Sequence, residues 1–281
     1  KNHSDALEGR YGVNEGGNTI WEKGKVTEIR VQAAEKEYMD ITLRVQGQPS
    51  HSSVPRADNI VAALSRAVAR LSEHRFPASL NDVVRNFLQR QSEFADPPLN
   101  GAIKDVLKAA PGVELDDAAD RLAVLNSEFA AMLRDTVSPT MLKAGYKSNV
   151  IPAEASAVVN ARLLPGHDPK DFIAQVKAVI GNPAVGIDYD PPSRPPVPPM
   201  PIDTEFYRAV ESAASEHAPG ARVMPFMAAW TTDSQNLRAR GTVVYGIDPP
   251  LSLEDGERVH GKNERISLAA LDWYAKFLHS I

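Results

Sequence analysis

The sequence predicts an α/β chain in which a ferredoxin-like α+β domain, carrying a helical insertion, interrupts a second α/β domain. Three observations predict it. Residues 39 to 45 alternate at period two and feed, through a loop, a helical repeat over 60 to 71. Two strand patterns, about 137 to 147 and 154 to 164, are followed by a short amphipathic helix and a last strand, which completes the order of the split βαβ arrangement. Finally, "PPSRPPVPPMP", residues 191 to 201, holds seven prolines in eleven positions. Such a stretch is stiff and extended, neither helix nor inner strand, and reads as a strut returning to another domain. The predicted boundaries are 37–192 for the inserted domain, with 1–36 and 193–281 forming the other.

Each element follows from local pattern. Met39, Ile41, Leu43 and Val45 alternate with Asp40, Thr42 and Arg44, a half-buried strand. After the turn "GQPSHSSVPRADN", which holds His51, Ile60, Val61, Leu64, Val68 and Leu71 recur at helical spacing, with Asp58 or Asn59 suited to cap the first turn. Residues 81 to 134 read as several helices split by "DPP" and "PG". The two strands beyond are separated by "SNVIP"; in the second, Ala155, Ala157, Val159 and Ala161 take one face, and Ser156, Asn160 and Arg162 the other. "GHDPKDFIAQVKAVIG" is an amphipathic helix and "AVGIDYD" a strand. Past the strut come a helix at about 203 to 217, the segment "MPFMAAWTTDSQNLRARG", a strand "TVVYGI", the loop "VHGKNER" and a closing helix from Ser267 to His279.

Composition excludes several functions. The chain has 281 residues, 43% hydrophobic and 24% charged, with net charge −5. No cluster of Lys and Arg suits a nucleic acid or an anionic membrane, so small substrates or protein partners are expected. No window reaches the roughly 18 apolar residues that span a bilayer. Cysteine is absent, so there is no thiol nucleophile or thiolate site, and any metal would be held by His, Asp and Glu. The compartment stays open between cytoplasm and export.

Three loops carry chemistry-capable residues: "VNEGGN" (13 to 18), "SHSSVP" (50 to 55) and "VHGKNER" (259 to 265), joined by Asn149 and Arg162. A carboxylate between glycines, such as Glu15, can approach a metal without side-chain obstruction; alone, it would read as an exposed acidic turn. Taken in order, "NEGG", "GQPSHSSVP", "DTVSPTMLKAGYKSNVIPAEASAVVNARLLPG", "TDS" and "HGKNERISL" resemble the co-catalytic zinc hydrolases. That family includes carboxypeptidase S, glutamate carboxypeptidase, aminoacylase and succinyl-diaminopimelate desuccinylase, and the carboxypeptidase S type is the one most resembled. The long central string is the most specific part, and the resemblance covers essentially the whole chain.

The resemblance implies a zinc-binding α/β catalytic domain, here partial, interrupted by a ferredoxin-like lid that also makes a homodimer. It implies a peptide or N-acyl amino acid substrate and two zinc ions per complete site, with cobalt or manganese as possible replacements. Position by position, Glu15 and His260 match zinc ligands. His51 matches a lid histidine that reaches the partner subunit's site and stabilises an oxyanion as a hydrogen-bond donor. Asn149 and Arg162 match residues that grip substrate, the latter by a charge-assisted fork to a carboxylate. Gln235 stands where aminoacylase-like members commonly place a carboxylate-anchoring arginine; it offers a hydrogen bond without charge.

One Glu and one His cannot hold two zinc ions and supply a general base. The family places a His-x-Asp, a bridging Asp and a Glu-Glu pair upstream. This sequence has no Glu-Glu pair, and its one His-x-Asp, His3 to Asp5, lies too near Glu15 and reads as a solvated terminus. The chain also opens without Met, and the expectation is the later portion of a longer enzyme lacking on the order of 150 residues, about one domain. A rival of another class stays open: a non-catalytic dimerising or peptide-binding module that has lost the metal centre.

Overall fold

The computed structural model describes residues 9–192 and 194–281; the His3 to Asp5 element lies outside the described residues. The chain divides into two compact units, one made of 1–36, 79–133 and 197–281, the other of 37–78 and 134–196. In the first unit, β1 (Tyr11–Asn14) leads to β2 (Asn18–Glu22) and β3 (Lys25–Glu35). β2 and β3 pair through a two-residue turn in which Lys23 and Gly24 both have positive φ, 51° and 81°, the backbone a tight hairpin needs. None of these strands stands out in the sequence. β3 buries Glu28, Gln32 and Glu35 together with Val26, Ile29, Val31 and Ala33, so the period-two contrast that marks a half-exposed strand is lost.

The chain then enters the second unit with β4 (Glu37–Gln46), β5 (Ser50–His51) and α1 (Ile60–Glu73). Asn59 caps α1, accepting from the N–H groups of Val61 and Ala62. α2 (Asp82–Ser92), α3 (Leu99–Lys108), α4 (Val113–Leu125) and α5 (Ser127–Ala131) follow, and the chain returns to the second unit with β6 (Thr136–Ala144), β7 (Val150–Ile151), β8 (Glu154–Leu163), α6 (Pro169–Ile180) and β9 (Gly186–Tyr189). The sheet runs β6-β8-β4-β9 with every pair antiparallel, the ferredoxin-like order expected. Met39, Ile41, Leu43 and Val45 from β4 and Ala155, Ala157, Val159 and Ala161 from β8 form one core with Leu64, Leu71, Phe172 and Val176. α1 and α6 therefore cover one face, and the alternation leaves Tyr38, Asp40, Asn160 and Arg162 on the other.

Within the 37–192 expected as the inserted domain, residues 79–133 make their contacts with the first unit. The reason is where the amphipathic faces of the insertion point. Phe87 of α2 packs against Phe226 at 5.6 Å between ring centroids, and Gln91 donates to Glu28 of β3. The helices thus cover the first unit's sheet. Their two ends meet: Ser79 N–H donates to Leu133 O at 2.6 Å.

The remaining first-unit elements are α7 (Glu205–His217), β10 (Arg222–Ala228), α8 (Ser234–Arg238), β11 (Val243–Gly246), α9 (Leu253–Gly256) and α10 (Leu268–His279), the last capped by Ser267. The end of the proline strut docks on the sheet through Met200 N–H to Ala33 O, 2.7 Å. The sheet runs β1-β11-β3-β10, with β2 also on β3; β1 is parallel to β11 and β10 to β3. Among the described residues, no helix is long and apolar enough to cross a membrane.

Candidate functional site

Three stretches of the first unit come together where β1 and β11 end. β1 runs out at Asn14 into Glu15, Gly16 and Gly17. Gly16 has φ +112°, and a Cβ on it would stand 2.6 Å from Gln32 Nε2 and 2.9 Å from Thr232 Cγ2. A Cβ on Gly17 would meet Gly246 O at 2.7 Å. Both glycines are therefore needed for close approach, and Gly16 for backbone freedom as well. Asn14 Nδ2 donates to Ser234 Oγ at 3.0 Å, and Gly16 N–H donates to Asp248 Oδ1 at 2.9 Å. "NEGG", "TTDSQ" and the "GID" after β11 thus form one constellation.

Its electrostatics are set by burial. Asp248 is pushed up to about 6, first by burial and then by the Glu15 charge, against the Gly16 N–H that favours the carboxylate. Beneath the loops, Glu35 and Arg238 form a buried ion pair, Oε1 to Nη1 at 3.3 Å. Burial pushes Arg238 down to about 10, still charged at neutral pH, with Glu35 opposing. Burial raises Glu35, opposed by Arg238 and by N–H donors of Thr232 and Gln32. Gln235, at 3% exposure, is interior, and its Oε1 has no hydrogen-bond partner. An orphaned buried acceptor of this kind is an unmet hydrogen-bonding capacity.

The expected metal ligands do not complete a metal centre. Glu15 is exposed, beside Asp248. His260 is also exposed; its φ of +59° puts a non-glycine residue in the left-handed region, and its N–H donates to Glu264 Oε2 at 3.1 Å. Gly261 closes that turn through its N–H to Arg258 O, 2.8 Å. No hydrogen bond joins Glu15 to His260 among the described residues. There, too, no three His, Asp or Glu residues are grouped so as to hold a metal ion. A zinc shell of four donors is therefore not met by these residues alone.

In the second unit, His51 and Asn149 are brought together. His51 lies on β5 opposite Val150 of β7, and Ser52 N–H donates to Asn149 O at 3.1 Å. The ring's Nδ1 accepts from Ser53 N–H at 3.2 Å and lies 2.8 Å from Ser53 Oγ, while Nε2 lies 3.5 Å from Asn149 Nδ2. An Nδ1 that accepts a backbone N–H leaves the proton of the neutral ring on Nε2, where it is a donor; Asn149 Nδ2, itself a donor, is then a neighbour of Nε2 and not its hydrogen-bond partner. Arg162 sits apart from this pair, in the polar face of the sheet. Its guanidinium stacks on Tyr38 at 4.7 Å, and its Nε donates to Asn160 Oδ1 at 3.2 Å. Asn160 and Tyr38 both donate to Asp40, at 2.9 and 2.6 Å.

Residues 33–188, more than half of the chain, match the peptidase dimerisation domain of the M20 peptidases. The chain belongs to the M20 peptidase family. Among M20 relatives it is 30% identical to the N-fatty-acyl-amino acid synthase/hydrolase PM20D1 of Xenopus tropicalis, over 88% of this chain and 48% of that protein. It is 26% identical to the probable carboxypeptidase S-like 2 of Dictyostelium discoideum, over 85% of this chain and 45% of that one. The chain spans about half the length of these relatives. In fold it is similar to the M20 family metallo-carboxypeptidase of Sulfolobus solfataricus, with TM-score 0.60 at 15% identity, over 99% of this chain and 64% of the other. Human carnosine dipeptidase 1 gives 0.59 at 14% identity, over 96% and 58%.

Sequence reasoning missed Asn14, Ser234 and Asp248, which tie the M20 loops together. A signal existed for Asp248, an acidic residue placed directly after an apolar strand and ahead of two prolines. Asn14 was masked by its neighbour Glu15, which carries the charge.

Proposed function

We propose that this chain is the lid-bearing, substrate-recognising part of a zinc-dependent hydrolase of peptide or N-acyl amino acid amide bonds, working as a homodimer through the ferredoxin-like unit. A fatty-acyl amino acid is the substrate class suggested by the relative's name. The metal centre requires donors beyond the described residues; Glu15 and His260 would contribute to it. His51 would donate from Nε2 to the oxygen of the tetrahedral intermediate, where developing charge makes the bond strongest. Asn149 would orient that donor or the substrate beside it. Arg162 would meet a carboxylate, and the unpartnered Oε1 of Gln235 would accept from a donor of the substrate.

The observation that carries this reading is the pairing of His51 with Asn149 on the short β5–β7 ribbon, with Nδ1 occupied and Nε2 left to donate. The test is hydrolysis of N-acyl amino acids and dipeptides by the intact polypeptide, with Zn²⁺ and with chelator. Turnover that chelation abolishes is expected; its absence under both conditions would overturn the reading. A second reading, a non-catalytic dimerising or peptide-binding module, predicts peptide binding that chelator leaves unchanged.

A further inference from the structure

Glu35 is the last residue of β3, and its side chain is wholly buried. Its Oε2 accepts from Gln32 Nε2 and from the backbone N–H of Thr232, both at 2.8 Å. Its Oε1 faces Arg238. Arg238 spends its other N–H groups on Val244 O, at 3.1 and 2.7 Å, and on Gln32 Oε1 at 2.8 Å. Gln32 in turn fills the space against Gly16, where a Cβ would stand 2.6 Å from its Nε2, and against Gly246. One three-residue cluster thus touches all three stretches of the constellation.

Stability alone does not explain such a cluster. A buried ion pair is often matched or bettered by apolar side chains of similar volume, because desolvating two charges is costly. Here the polar atoms are directed at loop backbone: the amide of Thr232, two residues after Trp230 and three before Gln235, is held by a carboxylate. The neighbouring Thr231 Oγ1 is tied to Lys36 O at 2.7 Å, so the end of β3 grips the loop twice.

We propose that Glu35 is a positioning residue, whose carboxylate fixes the 230–235 loop and, through Gln32 and Arg238, keeps it in register with the Glu15–Gly17 turn, so that the Gln235 amide is presented to substrate. The presentation of substrate rests on the hydrolase reading above; the fixing of the loop does not. The same cluster would make the loop rigid before any ligand arrives, which lowers the ordering cost of binding.

Two double substitutions separate positioning from plain stability. Glu35→Gln with Arg238→Met removes both charges and keeps an oxygen for the Thr232 N–H; Glu35→Leu with Arg238→Met removes the charges and the acceptor. The three tryptophans, Trp21, Trp230 and Trp273, are replaced by 5-fluorotryptophan and followed by fluorine NMR, with Trp230→Phe assigning the loop signal. The Trp230 resonance is expected to hold in the Gln variant and to shift or broaden in the Leu variant, while Trp21 and Trp273 stay put in both. An unmoved Trp230 signal in the Leu variant, or equal movement in both, overturns the proposal.

If the Leu variant does not fold, amide exchange in the unsubstituted chain decides. Thr232 protected like the amides of β3 supports the proposal; Thr232 exchanging like an exposed loop amide overturns it. Kinetics of the intact zinc-loaded polypeptide on N-acyl amino acids read the substrate side: the Leu variant is expected to raise KM about tenfold with kcat changed by less than about threefold. Unchanged KM overturns the presentation of Gln235. If the unsubstituted protein shows no turnover, the hydrolase reading fails by itself, and the fluorine result still decides the role of Glu35.

Discussion

A histidine whose Nδ1 is occupied by its own turn has one nitrogen left to act with, and that makes His51 the residue to test first. Because it is exposed, His51→Ala should leave stability within about 0.5 kcal/mol. In the intact enzyme it should lower kcat by about 10²- to 10³-fold, the usual cost of one oxyanion donor. Urea unfolding and steady-state kinetics check the two halves separately. Glu28 provides a pH test. Burial raises its carboxyl, but the charges and N–H donors of Arg30 and Arg222 outweigh this and hold it below the ordinary value of 4.5. A depressed folded pKa gives stability that is present above the unfolded value and lost as pH falls through the folded one. Glu28→Gln should therefore flatten the acid limb of stability below about pH 4.5, seen in denaturant midpoints between pH 3 and 7. His51 and Asn149 stood out because they lie in long specific strings, and the fold brings the two together. Glu35 did not: in "AAEKEY" a buried carboxylate spells the same as a solvated one, and only the fold shows Arg238 beside it.

Among elements, α1 is the clearest case of sequence dictating structure. Asn59→Ala should cost about 1 kcal/mol by stripping the cap, and Leu64→Ala, fully buried against β4 and β8, about 2 to 5 kcal/mol. Thermal unfolding of the single variants measures both. The four-stranded sheet and both helices of the second unit were readable because an antiparallel sheet with helices on one face prints its burial as alternation, whereas the two-residue strands β5 and β7 read only as loop. β8 shows the alternation, with Ala155 to Ala161 inside and Asn160 and Arg162 outside. In the first unit α7, β11 and α10 were readable, but β1 to β3 were not, since β3 has interior neighbours on both faces and buries three polar side chains. The helices of 79–133 were legible as helices, but an amphipathic face does not say which sheet it will cover. Phe87 on Phe226 supplies that answer.

For the whole molecule, assembly is the test. β6 pairs with β8 on one side only, and Met141 and Leu142 on it are 49% and 61% exposed, an open edge of the kind that adds a strand from another chain. Light scattering is expected to give twice the 30.5 kDa chain mass, and Leu142→Lys on that edge to shift the protein to the monomer. A mass of one chain before substitution would remove the homodimer from the proposed function. The meeting of Ser79 with Leu133 has a further consequence for engineering. The helical segment leaves the ferredoxin-like unit and comes back at one point, so topologically it is a detour rather than a part. Splicing 37–78 directly to 134–196 should give a miniature protein with its four-stranded sheet and both helices intact, whereas a cut at the linear borders 37 and 196 would carry away four helices stripped of the sheet they shelter.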